Sequence, residues 1–101
     1  MQTPLTHQAF SQHLNSKFQV QDNSGNQVVL ELTEVSELLQ SARQERFAIV
    51  FRGPNETFLG QGMRRFEHDQ MEAFDLFIVP ISRDEQGTYY EAVFNRLSKN
   101  T

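Results

Sequence analysis

Glu67-His68-Asp69 is the place in the chain where an imidazole stands directly beside two acids, the residue types that bind metals or move protons. In an extended segment Glu67 and Asp69 share one face and His68 takes the other, so the three converge on nothing without a turn at that point. His7 and His13 are distant in sequence, and no HxH, HxxxH or HExxH spacing is present. No metal site is expected. Just upstream, Gly60-Gln61-Gly62 carries two glycines but lacks the longer glycine pattern and following helix that cradle a phosphate, so it reads as a hairpin corner or bulge. Arg64 and Arg65 are adjacent and must point to opposite sides of a strand. One is expected to pair with an acid and the other to face solvent.

The absence of cysteine removes thiol catalysis, thiolate metal sites and disulfides. No serine lies in a GxSxG pattern, and the many carboxylates carry no paired-acid signature. The sequence therefore predicts no catalytic residue and no cofactor. With a formal charge of −4, a nucleic-acid backbone is repelled on average, and the basic positions Arg43, Arg46, Arg64, Arg65, Arg96 and Lys99 are too dispersed for a phosphate-binding footprint. The N-terminus lacks the basic start and apolar run of a signal peptide, and the longest apolar stretch, Phe77–Ile81, is far too short to span a bilayer. These features predict a cytoplasmic protein with no nucleic-acid or membrane partner.

The elements that would position such residues follow from periodicity. Thr6 is a suitable N-cap, with Leu5 before it and Phe10 at the fourth helical position; Phe10 and Leu14 then share a face, giving a helix over about 6–14. A start at Pro4 with Thr3 as cap is the weaker alternative. From Lys17 the period becomes two, and strands are expected over about 17–22, 27–33, 46–52, 57–60, 63–68, 74–82 and 88–96. The segment Val35 to Ala42 reads as a loop with one helical turn at most. Pro80 has no backbone donor, so its strand must meet an edge or a bulge there. A chain of 101 residues forms one domain, here mainly β: a small antiparallel barrel or sandwich of six or seven strands with one short N-terminal helix.

Three strands are apolar on both faces: Phe47, Ile49 and Phe51 with Ala48 and Val50; Phe74, Leu76 and Ile78 with Phe77, Val79 and Ile81; and Tyr90, Ala92 and Phe94 with Tyr89 and Val93. An antiparallel sheet with one wet face alternates more cleanly than this. Something has to cover the second face, either the N-terminal helix helped by Met63 or Met71, or another protein chain. The candidate interface is Phe74, Phe77, Val79 and Tyr89. A ligand-binding barrel would instead gather Arg52, Arg64 and His68 into a polar pocket, and an enzyme would use His68 with nearby acids.

FRGP at Phe51–Pro54, LGQG at Leu59–Gly62, FEH at Phe66–His68, LFIVPI at Leu76–Ile81 and GTYYEAVFNR at Gly87–Arg96 together resemble a family of small bacterial proteins known only as a domain of unknown function. The similarity runs from about Leu5 to Leu97. It implies no catalytic residues. What it implies of setting is an accessory or structural role in an assembly of the phage-tail kind, in keeping with a non-catalytic interaction module that self-associates or binds a protein partner.

Overall fold

The structure, a computed structural model, describes residues 5–22 and 24–97. Its first element, α1 (His7–Gln12), begins where the capping residue predicts: Thr6 is extended and its hydroxyl accepts from the Ala9 N–H at 3.0 Å. That bond satisfies one of the donors a helix start leaves open. Thr6→Ala is expected to lower stability by about 1 kcal/mol, read as a shift of the urea midpoint at unchanged slope. The helix is shorter than the expected 6–14. Asn15 adopts φ 70 and sends its N–H to the Leu32 carbonyl at 2.7 Å, so the chain has already turned toward the sheet. Leu14 leaves the helical face and is 43% exposed. The alternative start at Thr3 and Pro4 lies outside the described residues.

Seven strands follow: β1 (Lys17–Gln21), β2 (Gln27–Val35), β3 (Leu39–Gln40), β4 (Gln44–Gly53), β5 (Gly62–His68), β6 (Met71–Asp84) and β7 (Gly87–Leu97). They form one antiparallel sheet in the order β2-β1-β5-β6-β7-β4-β3, and β2 also pairs with β4, which closes six of the strands into a ring. Closure hides sheet edges that would otherwise pair with other chains. Two strands of the ring change partner along their length. β2 meets β1 through Gln27–Glu31 and then β4 through Glu31–Val35. β6 meets β5 up to Ile78 and then β7 from Val79, with a bulge between Pro80 and Ser82. The missing donor of Pro80 thus falls where the ladder is irregular, as expected.

Two expectations are corrected. Thr57 to Gly60 is not a strand. Asn55 ties its segment to the β6–β7 hairpin through the Asp84 carbonyl and the Thr88 hydroxyl, both at 2.8 Å. Further along, the Leu59 N–H donates to the Tyr90 hydroxyl at 2.9 Å instead of to a ladder. Val35 to Ala42 holds no helical turn: β2 runs on to Val35, Ser36 exchanges bonds with Ala48, and Leu39–Gln40 pairs with Glu45–Arg46. Beyond its pairing with β2, the edge of β4 offers unpaired backbone groups at Glu45 and Arg46, which an extended Leu39–Gln40 satisfies and a short helical turn cannot.

Inside the ring, Phe18, Phe51, Phe66 and Phe74 pack in series, with centroids 5.4 Å (Phe18–Phe51), 4.9 Å (Phe51–Phe66) and 5.5 Å (Phe66–Phe74) apart. α1 closes one end. Its Phe10 is fully buried against Phe47, Phe74 and Phe94, with centroids at 6.4, 5.9 and 5.4 Å. Leu59 and Tyr90, at most 1% exposed, fill the other.

Candidate functional site

The polar cluster of greatest chemical interest lies where α1 hands over to β1, beneath the β5–β6 turn. His68 closes β5 and receives the Gln70 N–H on Nδ1 at 3.0 Å. A backbone N–H can only donate, so Nδ1 is unprotonated and the neutral ring carries its proton on Nε2. Nε2 lies 3.0 Å from the Ser16 hydroxyl, which donates in turn to the His13 carbonyl. A chain of hydrogen bonds therefore runs from the β5–β6 turn to the last residues of the helical segment. The ring sits 4.5 Å from Phe18 and 4.7 Å from His13, centroid to centroid. Burial holds the imidazole below its ordinary value of 6.5, neighbouring His13 adds to this, and Asp69 works in the opposite direction.

Two surface cavities flank this histidine. One, of about 260 Å³, is lined by Lys17, Gln19, Val29, Glu67, His68 and Asp69. The other, of about 470 Å³, lies on the α1 side and includes His13, Ser16, Lys17, His68 and Gln70. Among the described residues no three His, Asp or Glu side chains are placed to hold a metal ion. Both ring nitrogens of His68 are already committed, which leaves it poorly suited to begin proton transfer without breaking the cluster.

Arg52, Arg64 and His68 are not brought together. Arg52 points to the outer face, between the inward Phe51 and Gly53, and pairs with Glu31 at 2.8 Å. Arg64 and His68 do share the inner side of β5, but Phe66 lies between them, and four residues of strand separate them by roughly 13 Å. Arg64 turns back to the Gly60 carbonyl at 3.0 Å and is half-buried, not solvent-facing as expected. Arg65 does meet an acid, Asp75, at 3.5 Å on the outer face.

The four interface candidates divide as well. Phe74 is 8% exposed and stacks on Phe66, so it belongs to the core. Phe77 is 48% exposed on the outer face, with Val79 and Tyr89 half-buried on the same side. Tyr89 anchors its hydroxyl on Asp84 at 3.1 Å. Sequence reasoning missed Met63 as a member of this face. The sequence offers Met63 or Met71 as help for the helix in covering apolar surface; Met71 is buried, whereas Met63 is 62% exposed and stands directly opposite Phe77. Val93, 50% exposed, lies diagonally from Val79, whose partner is Glu91. The β5–β6 register was the missing information: once Gly62 is set against Ile78, Met63 must join Phe77 outside. α1 does not cover this face, because its one buried side chain, Phe10, points into the ring.

The model of the family described as a domain of unknown function (DUF6916) matches residues 5–94, and the chain belongs to that family. No curated protein and no solved structure matches it. No helix among the described residues is long and apolar enough to cross a membrane.

Proposed function

We propose that the protein is a non-catalytic interaction module, an accessory or structural part of a larger assembly, and that it docks through the outer face of β5, β6 and β7. The observation that carries this reading is the cross-strand pair Met63 and Phe77, 62% and 48% exposed on the same face, continued by Val79 and Val93. A large aromatic and a methionine directly opposed on a wet sheet face give up apolar contact that a partner would restore. The Arg65–Asp75 pair beside them supplies a polar rim. A tail-like particle as the setting rests on the family resemblance of the sequence.

The alternative of a ligand-binding barrel has less support, because the rings of Phe18, Phe51, Phe66 and Phe74 occupy the interior that a ligand would need. Light scattering over a concentration series, together with recovery of partners from the native cell, tests the interaction reading. The double variant Met63→Ser, Phe77→Ser is expected to keep its thermal midpoint and to weaken self-association or partner binding by about tenfold or more. A wild-type protein that stays strictly monomeric and recovers no partner, or a double variant that binds as well as wild type, overturns it.

A further inference from the structure

His68 is committed as a neutral group on both sides. Its Nδ1 accepts the Gln70 N–H, and its Nε2–H meets a hydroxyl whose own proton is given to the His13 carbonyl. Adding a proton to Nδ1 would set two N–H donors against each other, so the ring cannot become an imidazolium and keep its place. The same few residues hold the corner between α1 and β1. Ser16 N–H donates to the His13 carbonyl, Asn15 N–H to the Leu32 carbonyl, and Leu32 N–H to the Ser16 carbonyl, at 3.1, 2.7 and 3.0 Å.

We propose that His68 is an acid-operated latch, which in its neutral form ties the β5–β6 turn to the α1–β1 corner and on protonation lets that corner open. The corner is the support of the helix whose Phe10 closes this end of the ring, so opening there loosens the plug without touching the far end, where Leu59 and Tyr90 pack.

The charged and titratable groups around the ring come from several elements. His13 from the end of α1 and Lys17 from β1 oppose a positive charge on His68. Glu67 of β5 and Asp69 of the turn favour it. β6 places the uncharged Met71 at the paired position, and β2 contributes Val29. Burial and His13 outweigh Asp69, so the folded form takes up the proton at lower pH than the unfolded chain, whose histidine titrates near 6.5. The unfolded or opened state then binds more protons in the window below 6.5. The latch is whole above that value and is lost as the pH falls through the window toward the depressed folded value.

Amide hydrogen exchange by NMR on the full chain tests this at His13, Asn15 and Ser16. Between about pH 7.5 and about pH 5, protection factors there are expected to fall roughly threefold to tenfold, the factor that one hydrogen bond is worth, while amides near Tyr90 hold theirs. In His68→Asn the amide oxygen still accepts from Gln70 N–H but cannot titrate, so protection at the corner should be low and flat with pH. In His13→Asn the fall should persist. The latch is overturned by flat protection in wild type, by a fall in His68→Asn equal to that of wild type, or by its disappearance only in His13→Asn. Should the variants fold poorly, the ring nitrogen shifts of wild-type His68 decide: an Nε2–H tautomer titrating below 6.5 is expected, and an Nδ1–H tautomer or titration above 6.5 rules the latch out.

Discussion

Phe10→Ala lowers the free energy of unfolding by about 3–5 kcal/mol, the cost of deleting a buried ring and leaving a cavity that its neighbours fill only in part. The ring is fully buried, and it is the single buried side chain of α1. It spans three strands, touching Phe47 of β4, Phe74 of β6 and Phe94 of β7. Phe47 and Phe94 are already stacked on each other at 4.6 Å and covered by the Arg96 guanidinium at 5.7 and 5.5 Å, so neither ring can swing inward cheaply. Arg96 is itself held by Glu45 at 3.0 Å. A site walled by such mutually fixed groups collapses poorly, which places the loss in the upper part of the range. Against a total stability of about 5–15 kcal/mol for a domain of this size, the variant gives up about a quarter or more of what holds the fold together. Leu14→Ala, four residues on but 43% exposed, should stay within about 0.5 kcal/mol of wild type. Urea denaturation of the two variants side by side checks both numbers. A Phe10→Ala loss under about 1 kcal/mol would mean that α1 is not part of the cooperative unit.

Much of this arrangement is legible in the residues, and the division between what can and cannot be read is physical. Thr6 declares itself because capping is a local matter of one hydroxyl and one N–H three residues away. Phe18 and Val20, then Val28, Leu30 and Leu32, alternate because one face of each strand is inside, and every one of them is buried. Asp22 and Gly25 likewise mark their turn: the Asp22 carboxylate takes the Ser24 and Asn26 N–H groups at 2.9 Å, and Gly25 sits at φ 85. Local rules fail where a distant group supplies the partner. Phe58-Leu59 has strand composition, but the Leu59 N–H is claimed by a tyrosine 31 residues away. Leu38, Leu39 and Ala42 fall at helical spacing, yet the free stretch of β4 draws Leu39 and Gln40 into pairing.

The candidate site follows the same logic. His68 stands out by residue type, but its meaning comes from Ser16, 52 positions earlier, and from His13, which no spacing rule connects to it. The set Phe74, Phe77, Val79 and Tyr89 mixes both faces of its strands, and strand parity alone assigns Phe74 to the core once Phe66 stands opposite it. For Arg52 and Arg64 the sequence supplies charge and exposes no partner; Glu31 and the Gly60 carbonyl become visible only through the β2–β4 pairing and the loop after Gly53.

Gly87→Ala is expected to cost about 2–4 kcal/mol, combining backbone strain with a clash that the fold cannot relieve. Gly87 opens β7 at φ 158, opposite Asp84, in a turn that Asp84 organises by accepting the Gln86 and Gly87 N–H groups at 2.8 and 3.1 Å. A Cβ there would lie 2.5 Å from the Gly53 carbonyl oxygen and 2.8 Å from Cγ of Arg52. The arginine stem could shift. The carbonyl could not, because Gly53 is paired with Thr88 at the end of the ten-residue β4–β7 ladder, and its own Cα is pressed from the other side by Leu30, where a Cβ would meet Cδ2 at 2.5 Å. Relief therefore requires opening the last pairs of the longest ladder in the sheet, and with them the Asn55 anchor on Thr88 and Asp84. Gly25→Ala separates sterics from conformation: Gly25 also has positive φ, 85, but nothing lies within 4 Å of its added Cβ, so its cost should stay near 1 kcal/mol. Equal losses for the two variants in thermal and urea unfolding would show that the close approach of β7 to β4 is not what demands glycine. A larger loss for Gly87→Ala, accompanied by faster amide exchange at Thr88 and Tyr89, places the demand on the Gly53 carbonyl, and it ties the outer-face position of Tyr89 to a backbone contact two residues earlier on its own strand.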